Sequence, residues 1–169
     1  MTIQAQILDL LADLQKRFGM ALLLVTHDLG VVAERTDTVA IMYAGRLVER
    51  AAVADLFRRP LHPYTRGLLH SVPKLGAEKQ RRLDAIPGVV PDPRRLPSGC
   101  RYRDRCPIAI PACADTDPLL QEYEPGHAAA CIQVGERGMR VSDEPYANPS
   151  LGNTPCQDPP LGKGGPGGM

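Results

Sequence analysis

Four cysteines lie within one short stretch of the chain, and their thiols are the side chains most suited to chemistry. They are Cys100, Cys106, Cys113 and Cys131, spaced C-x5-C-x6-C-x17-C. Four soft thiolates in a small, proline-rich region suit either a tetrahedral Zn²⁺ ion or a [4Fe–4S] cluster. No pair has the C-x2-C to C-x4-C spacing of short zinc sites, which makes zinc the less favoured ion. Two disulfides or four free thiols are the alternatives, and a reducing cytosol disfavours disulfides.

Charged residues near these cysteines bear on what the thiols bind. A [4Fe–4S] cluster held by four thiolates is negatively charged, so nearby cations stabilise it. Three arginines stand between the first two cysteines, at Arg101, Arg103 and Arg105. Alternating arginines are also typical of an exposed strand, so this pattern is weaker than the cysteine spacing. His127 stands four residues before Cys131, and three roles are open for it: an alternative metal ligand, a residue that supports the ligands, or an exposed side chain.

A second candidate for chemistry is His27, which follows an uninterrupted apolar run. Residues 20–25 are all apolar, which predicts a strand buried on both faces. Ligands of open α/β sheets bind just beyond the carboxyl ends of the strands, where His27 would lie. Thr26 or Asp28 would cap the following helix, whose N-terminus would favour a nearby phosphate. A hydrogen-bonded structural histidine explains this pattern, taken alone, equally well.

Hydrophobic spacing predicts the elements that would position these residues. Residues 2–18 carry apolar side chains three and four apart, which predicts an amphipathic helix capped by Thr2 and ended by Gly19. Ala44-Gly45 predicts a tight hairpin turn, because a run rich in β-branched residues precedes it. The other predicted elements are strands over 38–43 and 46–49, short helices over 29–35 and 51–59, and a helix that opens over 61–65.

Several segments of the chain resemble one protein family, the ATP-binding subunits of oligopeptide and dipeptide ABC transporters. Residues 22–32 have the sequence LLLVTHDLGVV and resemble the family's switch-histidine segment. Residues 62–69 have the sequence HPYTRGLL and resemble the opening of the C-terminal extension found in this subfamily. The motif GCRYRDRCP at 99–107, followed by Cys113 and Cys131, resembles the cysteine motif that ends the same extension.

The resemblance implies a fold class and a division of the chain. The fold would be α/β, and residues 1–59 would be the C-terminal fragment of a P-loop-type ABC ATPase domain with a helix, a buried strand, a short helix and a β-hairpin. Residues 60–132 would be the small, irregular, cysteine-rich extension. Residues 133–169 are predicted to be a disordered tail, because their Gly- and Pro-rich composition buries too little apolar surface to offset the entropy of ordering.

The resemblance also implies roles for the two candidate sites. In this family the switch histidine, here His27, contacts the γ-phosphate of ATP and helps to orient the attacking water. It would therefore be both a catalytic and a cofactor-binding residue. In some members the four-cysteine motif holds a [4Fe–4S] cluster, and the ligands here would be Cys100, Cys106, Cys113 and Cys131. The full-length subunit would also use ATP and Mg²⁺.

The chain lacks most of the catalytic machinery of such an ATPase. It has no G-x-x-x-x-G-K-[ST] phosphate loop, no Leu-Ser-Gly-Gly-Gln signature and no strand ending in Asp-Glu before the first helix. Without these groups nothing cradles the phosphates, holds Mg²⁺ or acts as a general base, and His27 alone would not carry phosphoryl transfer. A mis-called start at Met1, or a break in a longer gene, would explain the missing segments.

The leading interpretation is a part of the ATP-hydrolysing subunit that energises peptide uptake by an ABC importer, inactive by itself. One alternative is a stand-alone Fe–S or zinc-binding module without ATPase activity, and another is a non-functional gene fragment. Whether the chain is an enzyme is therefore open at the level of sequence. An upstream reading frame that encodes a phosphate loop, a signature and Asp-Glu would favour the first interpretation.

Composition and charge limit the partners of the chain. A net charge of +1 on 169 residues gives no general attraction to nucleic acid. The chain has no secretory signal pattern and no apolar run of transmembrane length. By the resemblance, the partners would be a second ATP-binding subunit, two transmembrane permease subunits and, indirectly, an extracytoplasmic peptide-binding protein. The subunit would be cytoplasmic and peripheral, held on the inner face of the cell membrane by the permeases.

Overall fold

The computed structural model describes residues 3–71 and 86–134 of the chain. The predicted cap at Thr2 and nearly all of the predicted disordered tail over 133–169 lie outside the described residues. Within the described part, four α-helices and four strands form, together with two short 3-10 helices. No helix in this part of the chain has the length and hydrophobicity needed to cross a lipid bilayer.

The first element is a long helix, α1, which spans Ile3–Phe18 as the apolar periodicity predicts. It ends at Gly19, whose backbone is left-handed with φ of +61°, a conformation that glycine adopts without strain. The N–H of Met20 donates to the carbonyl oxygen of Gln15 at 3.3 Å and closes the last turn. The predicted helix and its glycine stop are confirmed.

The apolar run after α1 does not form the buried strand that the sequence predicted. Residues 20–25 contain no strand, and Leu23 and Val25 are 88% and 89% exposed. A central strand needs neighbouring strands to bind its backbone N–H and C=O groups. The described sheet contains no partner for this segment, and no residue of α1 is buried against it. The prediction was wrong because local hydrophobicity does not supply long-range partners.

A short second helix, α2, spans Leu29–Arg35 as predicted. Its N-cap is Asp28, whose carboxylate accepts hydrogen bonds from the N–H groups of Gly30 at 2.9 Å and Val31 at 3.2 Å. The hydroxyl of Thr26 accepts from the N–H of Asp28 at 3.1 Å and supports the turn. The amides of the first turn are therefore bound by a carboxylate, whereas the sequence suggested that they would favour a phosphate.

The predicted hairpin is present and forms the centre of the fold. Strand β1 spans Thr38–Tyr43 and pairs antiparallel with β2, which spans Arg46–Ala52. Ala44 and Gly45 connect them with φ of 45° and 77°. Positive φ at both positions is the type I′ geometry, whose twist matches that of the flanking strands. β1 alternates exposed and buried residues, as expected for a strand with one face on the core.

Two short helices follow the hairpin. Helix α3 spans Val53–Arg58, two residues later than the predicted start, because Ala51 and Ala52 continue β2. Helix α4 spans Pro63–His70. Proline is well suited to the first turn of α4, where a missing N–H removes no helical hydrogen bond.

The cysteine-rich segment contributes two strands that the sequence did not predict. Strand β3 spans Gln121–Glu124 and β4 spans His127–Ala129, and the sheet order is β1-β2-β4-β3 with every pair antiparallel. Strand β4 pairs with the second edge of β2, where Glu49 lies opposite Ala129. One sheet thus joins strands from both sides of residue 60.

A cluster of aromatic rings connects the hairpin, α4 and the cysteine-rich segment. The ring centroid of Tyr43 lies 4.7 Å from that of Tyr64 and 5.1 Å from that of Tyr102. The ring of His62, directly before α4, lies 5.7 Å from that of Tyr102. Aromatic pairs at such distances contribute roughly 0.5–1.5 kcal/mol each beyond simple burial. The aliphatic part of the core consists mainly of Val32, Val39, Ile41, Val48 and Leu56.

Candidate metal centre

The four cysteines predicted to bind a metal line one cavity, which we call the cysteine cavity. Cys113 is buried, and Cys100, Cys106 and Cys131 are partly buried; all four are free thiols. The polar residues on the cavity wall are His62, Tyr102, Arg103 and Gln133. Among the described residues, no three His, Cys, Asp or Glu side chains converge closely enough to hold one metal ion.

Cys100 and Cys113 are brought together by a backbone contact that depends on Gly99. The N–H of Cys100 donates to the carbonyl oxygen of Cys113 at 2.9 Å. Gly99 has φ of +61°, and a Cβ atom there would lie 2.5 Å from the Cys113 oxygen and 2.6 Å from the Ala114 oxygen. No side chain fits at such distances, so glycine is what allows the two segments to touch. Sequence reasoning did not identify this role.

Arg103 joins the same two segments. Its Nη1 atom donates to the carbonyl oxygens of Ser98 at 2.6 Å and Ala114 at 3.1 Å. It begins the 3-10 helix Arg103–Arg105, whose C-cap is Cys106. The N–H of Cys106 donates to the carbonyl oxygen of Arg103 at 3.2 Å, so one residue orients the segments of three cysteines.

The sheet positions Cys131. The preceding residue, Ala130, donates its N–H to the carbonyl oxygen of Val48 in β2 at 2.8 Å. The hydroxyl of Tyr123 in β3 donates to the carbonyl oxygen of Cys131 at 3.0 Å. The fourth thiol is therefore held by β2, a strand from the part of the chain that contains none of the cysteines.

Burial favours the protonated form of three of the thiols in the absence of a bound cation. It raises the pKa of Cys106 to about 12 and also raises the pKa of Cys100 and Cys131. Repulsion among the thiolates adds to these increases. Backbone N–H groups that hydrogen-bond these three sulfurs oppose the increases. The donors stand two or three residues after the cysteine, at Tyr102, Arg103, Ile108, Gln133 and Val134. The same donors would stabilise thiolates once a cation is bound.

His62 connects the cysteine cavity to α4. It is the N-cap of that helix, and its Nδ1 atom accepts a hydrogen bond from the N–H of Tyr64 at 3.1 Å. The side chain is 1% exposed, and its ring lies on the cavity wall. Burial lowers the pKa of His62 to about 3, so the imidazole is neutral at pH 7. Because Nδ1 is an acceptor, the proton of the neutral ring lies on Nε2.

The three arginines that were expected to favour a negatively charged cluster have different contacts. Arg103 lies on the wall of the cysteine cavity. Arg101 donates to the carbonyl oxygen of Ala44 in the hairpin turn. Arg105 donates to the carbonyl oxygen of Ile86 at 2.9 Å. Arg101 and Arg105 thus fasten the cysteine-rich segment to its surroundings, and Arg103 is the one of the three that lines the site.

A buried pair that sequence reasoning missed supports the site from outside. Glu49 of β2 is fully buried, and its Oε1 atom lies 2.7 Å from Nε2 of His127, which is 2% exposed. Glu49 also accepts the N–H groups of Leu61 at 2.7 Å and His62 at 2.9 Å. His127 is therefore neither exposed nor free to offer Nε2 to a metal. Strand alternation was the available signal, because Glu49 stands two residues from buried Ala51.

The second predicted site residue, His27, lies apart from the cysteines. It is exposed, occupies a bend directly before the cap of α2, and is absent from the wall of the cysteine cavity. The structure therefore contains two separate candidate sites: four thiols gathered around a cavity, and one exposed imidazole at the start of a short helix.

Comparison with known proteins relates the chain to one family of transport proteins. The family described as "Oligopeptide/dipeptide transporter, C-terminal region" matches residues 48–113, which include three of the four cysteines. The probable peptide ABC transporter ATP-binding protein y4tR of Sinorhizobium fredii is 56% identical over 135 residues, which are 80% of the chain and 40% of the relative. The oligopeptide transport ATP-binding protein AppD of Bacillus subtilis is 48% identical over 141 residues, 83% of the chain and 43% of the relative.

The chain spans about two fifths of the length of these relatives, and the part that it matches is their C-terminal part. The predicted resemblance is confirmed by two independent comparisons, one with a family and one with individual proteins. Residues 48–113 match the oligopeptide/dipeptide transporter C-terminal region, and the chain is similar to the C-terminal part of peptide ABC transporter ATP-binding proteins.

Proposed function

We propose that this chain acts as the C-terminal part of the ATP-hydrolysing subunit of an ABC importer for peptides. The observation that carries the proposal is its identity of 56% with y4tR and 48% with AppD over at least 80% of its residues. Such a subunit would sit at the cytoplasmic face of the membrane, paired with a second ATP-binding subunit and two permease subunits. An extracytoplasmic peptide-binding protein would deliver the solute.

In this proposal His27 contacts the γ-phosphate of ATP and orients the attacking water. Its exposure supports the assignment, since the imidazole is accessible to a nucleotide held by other parts of the subunit. The Asp28 cap, with its bonds to Gly30 and Val31, holds the backbone beside His27 in one conformation. The chain has no phosphate loop of its own, so the groups that bind ATP and Mg²⁺ come from the rest of the subunit.

A chimaera with a relative tests this function. The matching C-terminal part of AppD is replaced by residues 3–134 of this chain, and oligopeptide uptake is measured in Bacillus subtilis cells that lack AppD. We expect the chimaera to restore uptake and its His27→Ala variant to fail while reaching the same cellular level. A well-expressed chimaera without uptake, or a His27→Ala chimaera with full uptake, would refute the corresponding part of the proposal.

We further propose that the cysteine cavity holds a [4Fe–4S] cluster. Four free thiols that line one cavity and backbone N–H groups bonded to three of the sulfurs support this proposal. A bound cluster would cross-link the cysteine-bearing segments and supply a one-electron redox couple. The four ligands would be Cys100, Cys106, Cys113 and Cys131.

Anaerobic reconstitution of the purified chain with iron and sulfide tests the cluster. We expect a brown protein with broad absorption near ~400 nm, and loss of this absorption in the Cys106→Ser variant. Cys156→Ser is the matched control, because Cys156 is the fifth cysteine of the sequence and is not one of the four proposed ligands. A colourless protein that holds one equivalent of zinc would refute the cluster and would assign the cavity as a structural zinc site.

A further inference from the structure

The cysteine-bearing segments are attached to the β1–β2 hairpin by residues that stand close to the cysteines. Arg101 directly follows Cys100, and its guanidinium donates to the carbonyl oxygen of Ala44 in the hairpin turn. The same guanidinium lies beside the other turn residue, because a Cβ atom at Gly45 would be 3.3 Å from its Nη1 atom. One arginine next to the first thiol therefore contacts both residues of the turn.

Two further cysteine segments contact the strands of the same hairpin. Arg105 directly precedes Cys106, and its Cζ atom lies 5.9 Å from the centre of the Tyr43 ring at the end of β1. The residue before Cys131 donates its N–H to the carbonyl oxygen of Val48 in β2 at 2.8 Å. The hairpin thus contacts residues adjacent to three of the four cysteines.

The segment of Cys113 is connected to the hairpin in two ways. Its carbonyl oxygen accepts the N–H of Cys100 at 2.9 Å, and Cys100 directly precedes Arg101. Asp117, four residues after Cys113, forms an ion pair with Arg46 of β2. Both side chains of this pair are more than two fifths exposed, so water weakens the attraction between them. The contact through Cys100 and Arg101 is therefore the main connection.

The turn that Arg101 contacts has an energetic cost of its own. Ala44 has φ of 45°, a left-handed backbone conformation that is unfavourable for a residue with a Cβ atom. Turns of type I′ therefore favour Asn, Asp or Gly at this position. The hydrogen bond from Arg101 to the carbonyl oxygen of Ala44 offsets part of this cost. The stability of the turn thus depends on where the cysteine-bearing segment holds Arg101.

We propose that the cysteine cavity and the hairpin turn are one coupled unit, in which a metal bound by the cysteines holds Arg101 against the turn and stabilises the hairpin. Arg101 is then a positioning residue of the cysteine site and not a ligand. This inference rests on the proposed function of the cysteines as a metal site, and it applies to a [4Fe–4S] cluster and to a single Zn²⁺ ion. Because coupling between two sites is reciprocal, loss of the turn contact also weakens metal binding.

Hydrogen–deuterium exchange of the full chain tests the effect of the metal on the hairpin. Exchange is measured for the metal-free chain, after loading with Zn²⁺ alone and after anaerobic reconstitution with iron and sulfide. We expect the metal that binds to slow exchange of the β1 and β2 amides by roughly 5- to 150-fold, the usual range for coupled sites. The amides of α1, which has no buried residue, are the internal reference and should not change. Equal slowing in α1, or no slowing of the hairpin in a loaded chain, would overturn the inference.

Variants of Arg101 test the reverse effect, that of the turn contact on metal binding. Arg101→Met removes the hydrogen bond to the turn, whereas Arg101→Lys keeps a charged N–H donor. Arg59→Met is the matched control, because Arg59 pairs with Glu124 at 2.8 Å in an ion pair that involves neither the turn nor a residue next to a cysteine. We expect Arg101→Met to weaken metal binding, measured by competition with a chelator, by the factor by which it reduces the metal-induced protection of the hairpin. Arg101→Lys should restore part of both, and unchanged metal affinity in Arg101→Met would contradict the coupling.

Thiol reactivity of the metal-free chain separates the coupling from the metal. In a Cys156→Ser background the remaining thiols are those of the cysteine cavity, and a thiol reagent reaches them as the cavity opens. We expect Arg101→Met to speed the reaction by about fivefold or more and Arg59→Met to leave its rate unchanged. If no chain takes up zinc, or iron and sulfide, the metal function fails and metal control of the hairpin fails with it. The coupling of turn and cavity is itself refuted if the two variants react at the same rate.

Discussion

Nε2 of His127 lies 2.7 Å from Oε1 of Glu49, and both side chains are buried. This contact joins β2 of the hairpin to β4 of the cysteine-rich segment. The same carboxylate accepts the backbone N–H groups of Leu61 and His62, which lead into α4. One buried side chain thus gathers three segments that are distant in sequence, and Cys131 and His62 of the cysteine cavity both depend on its position.

Replacing Glu49 should therefore destabilise the chain strongly. Glu49→Gln keeps the shape of the side chain, but its amide N–H₂ cannot accept a hydrogen bond, so at least one buried donor loses its acceptor. The expected loss is about 1–3 kcal/mol for each donor left without a partner, measured by urea unfolding. The iron content after anaerobic reconstitution should fall in parallel.

The matched control for Glu49→Gln is Glu124→Gln. Glu124 pairs with Arg59 at 2.8 Å, but both side chains are more than two fifths exposed. Water screens such a pair, so its removal should cost less than about 1 kcal/mol. Equal losses of unfolding free energy in the two variants would contradict a central role for Glu49.

Gly99→Ala should disrupt the cysteine cavity. The new Cβ would lie 2.5 Å from the Cys113 oxygen at a backbone φ of +61°, so the segments of Cys100 and Cys113 must move apart. We expect a loss of about 1–3 kcal/mol from backbone strain alone, and a sharp fall in iron incorporation.

Gly126→Ala provides the comparison for Gly99→Ala. Gly126 has φ of +75°, but no atom lies within 4 Å of its added Cβ. It should show the conformational cost of about 1–2 kcal/mol and incorporate iron normally. Normal iron incorporation by Gly99→Ala would mean that the contact between the two cysteine segments is dispensable.

The stability of the metal-free chain should depend on pH through His62. Its pKa is about 3 in the folded chain and 6.5 when unfolded, so below 6.5 the unfolded chain binds a proton that the folded chain does not. The stabilising effect of the neutral ring is complete above pH 6.5 and is lost as pH falls toward 3. The slope approaches roughly 1.4 kcal/mol per pH unit.

His62→Asn isolates this effect, because asparagine caps the helix without a titratable group. The difference in unfolding free energy between the unsubstituted chain and His62→Asn should be constant at neutral pH and shift against the unsubstituted chain below about pH 6. Urea unfolding at a series of pH values measures it. A difference that stays constant down to pH 4 would show that His62 is not buried as a neutral ring.

In the full-length subunit, His27→Ala should lower kcat for ATP hydrolysis by about 100-fold or more while changing ATP affinity little. The reason is that a contact which orients the attacking water acts mainly in the transition state. Steady-state ATPase assays and nucleotide-binding titrations separate the two quantities. If His27→Ala lowered the affinity for ATP by the same factor as kcat, the role of His27 would be ATP binding and not the orientation of water.

Local features were predictable from the sequence because neighbouring residues determine them. The spacing of apolar residues predicted α1, and Gly19 predicted its end. Ala44-Gly45 predicted a hairpin whose turn has two positive φ angles. The grouping of four cysteines in one proline-rich segment was also visible in the sequence, and their role as metal ligands stays a prediction. The structure then gathered all four of them on one cavity.

The tertiary structure decided what depends on contacts between distant residues. The sequence predicted a buried strand over residues 20–25. In the structure this segment has no strand partner among the described residues, and most of its side chains are exposed. Strand β4 pairs with the free edge of β2, and β3 pairs with β4. No local sequence pattern predicts this long-range pairing. The pairing of Glu49 with His127 joins positions 78 residues apart, and burial of His62 against the cysteines keeps its ring neutral. Hydrophobic periodicity indicates which residues tend to be buried. The tertiary contacts determine whether they are buried and which residues they pack against.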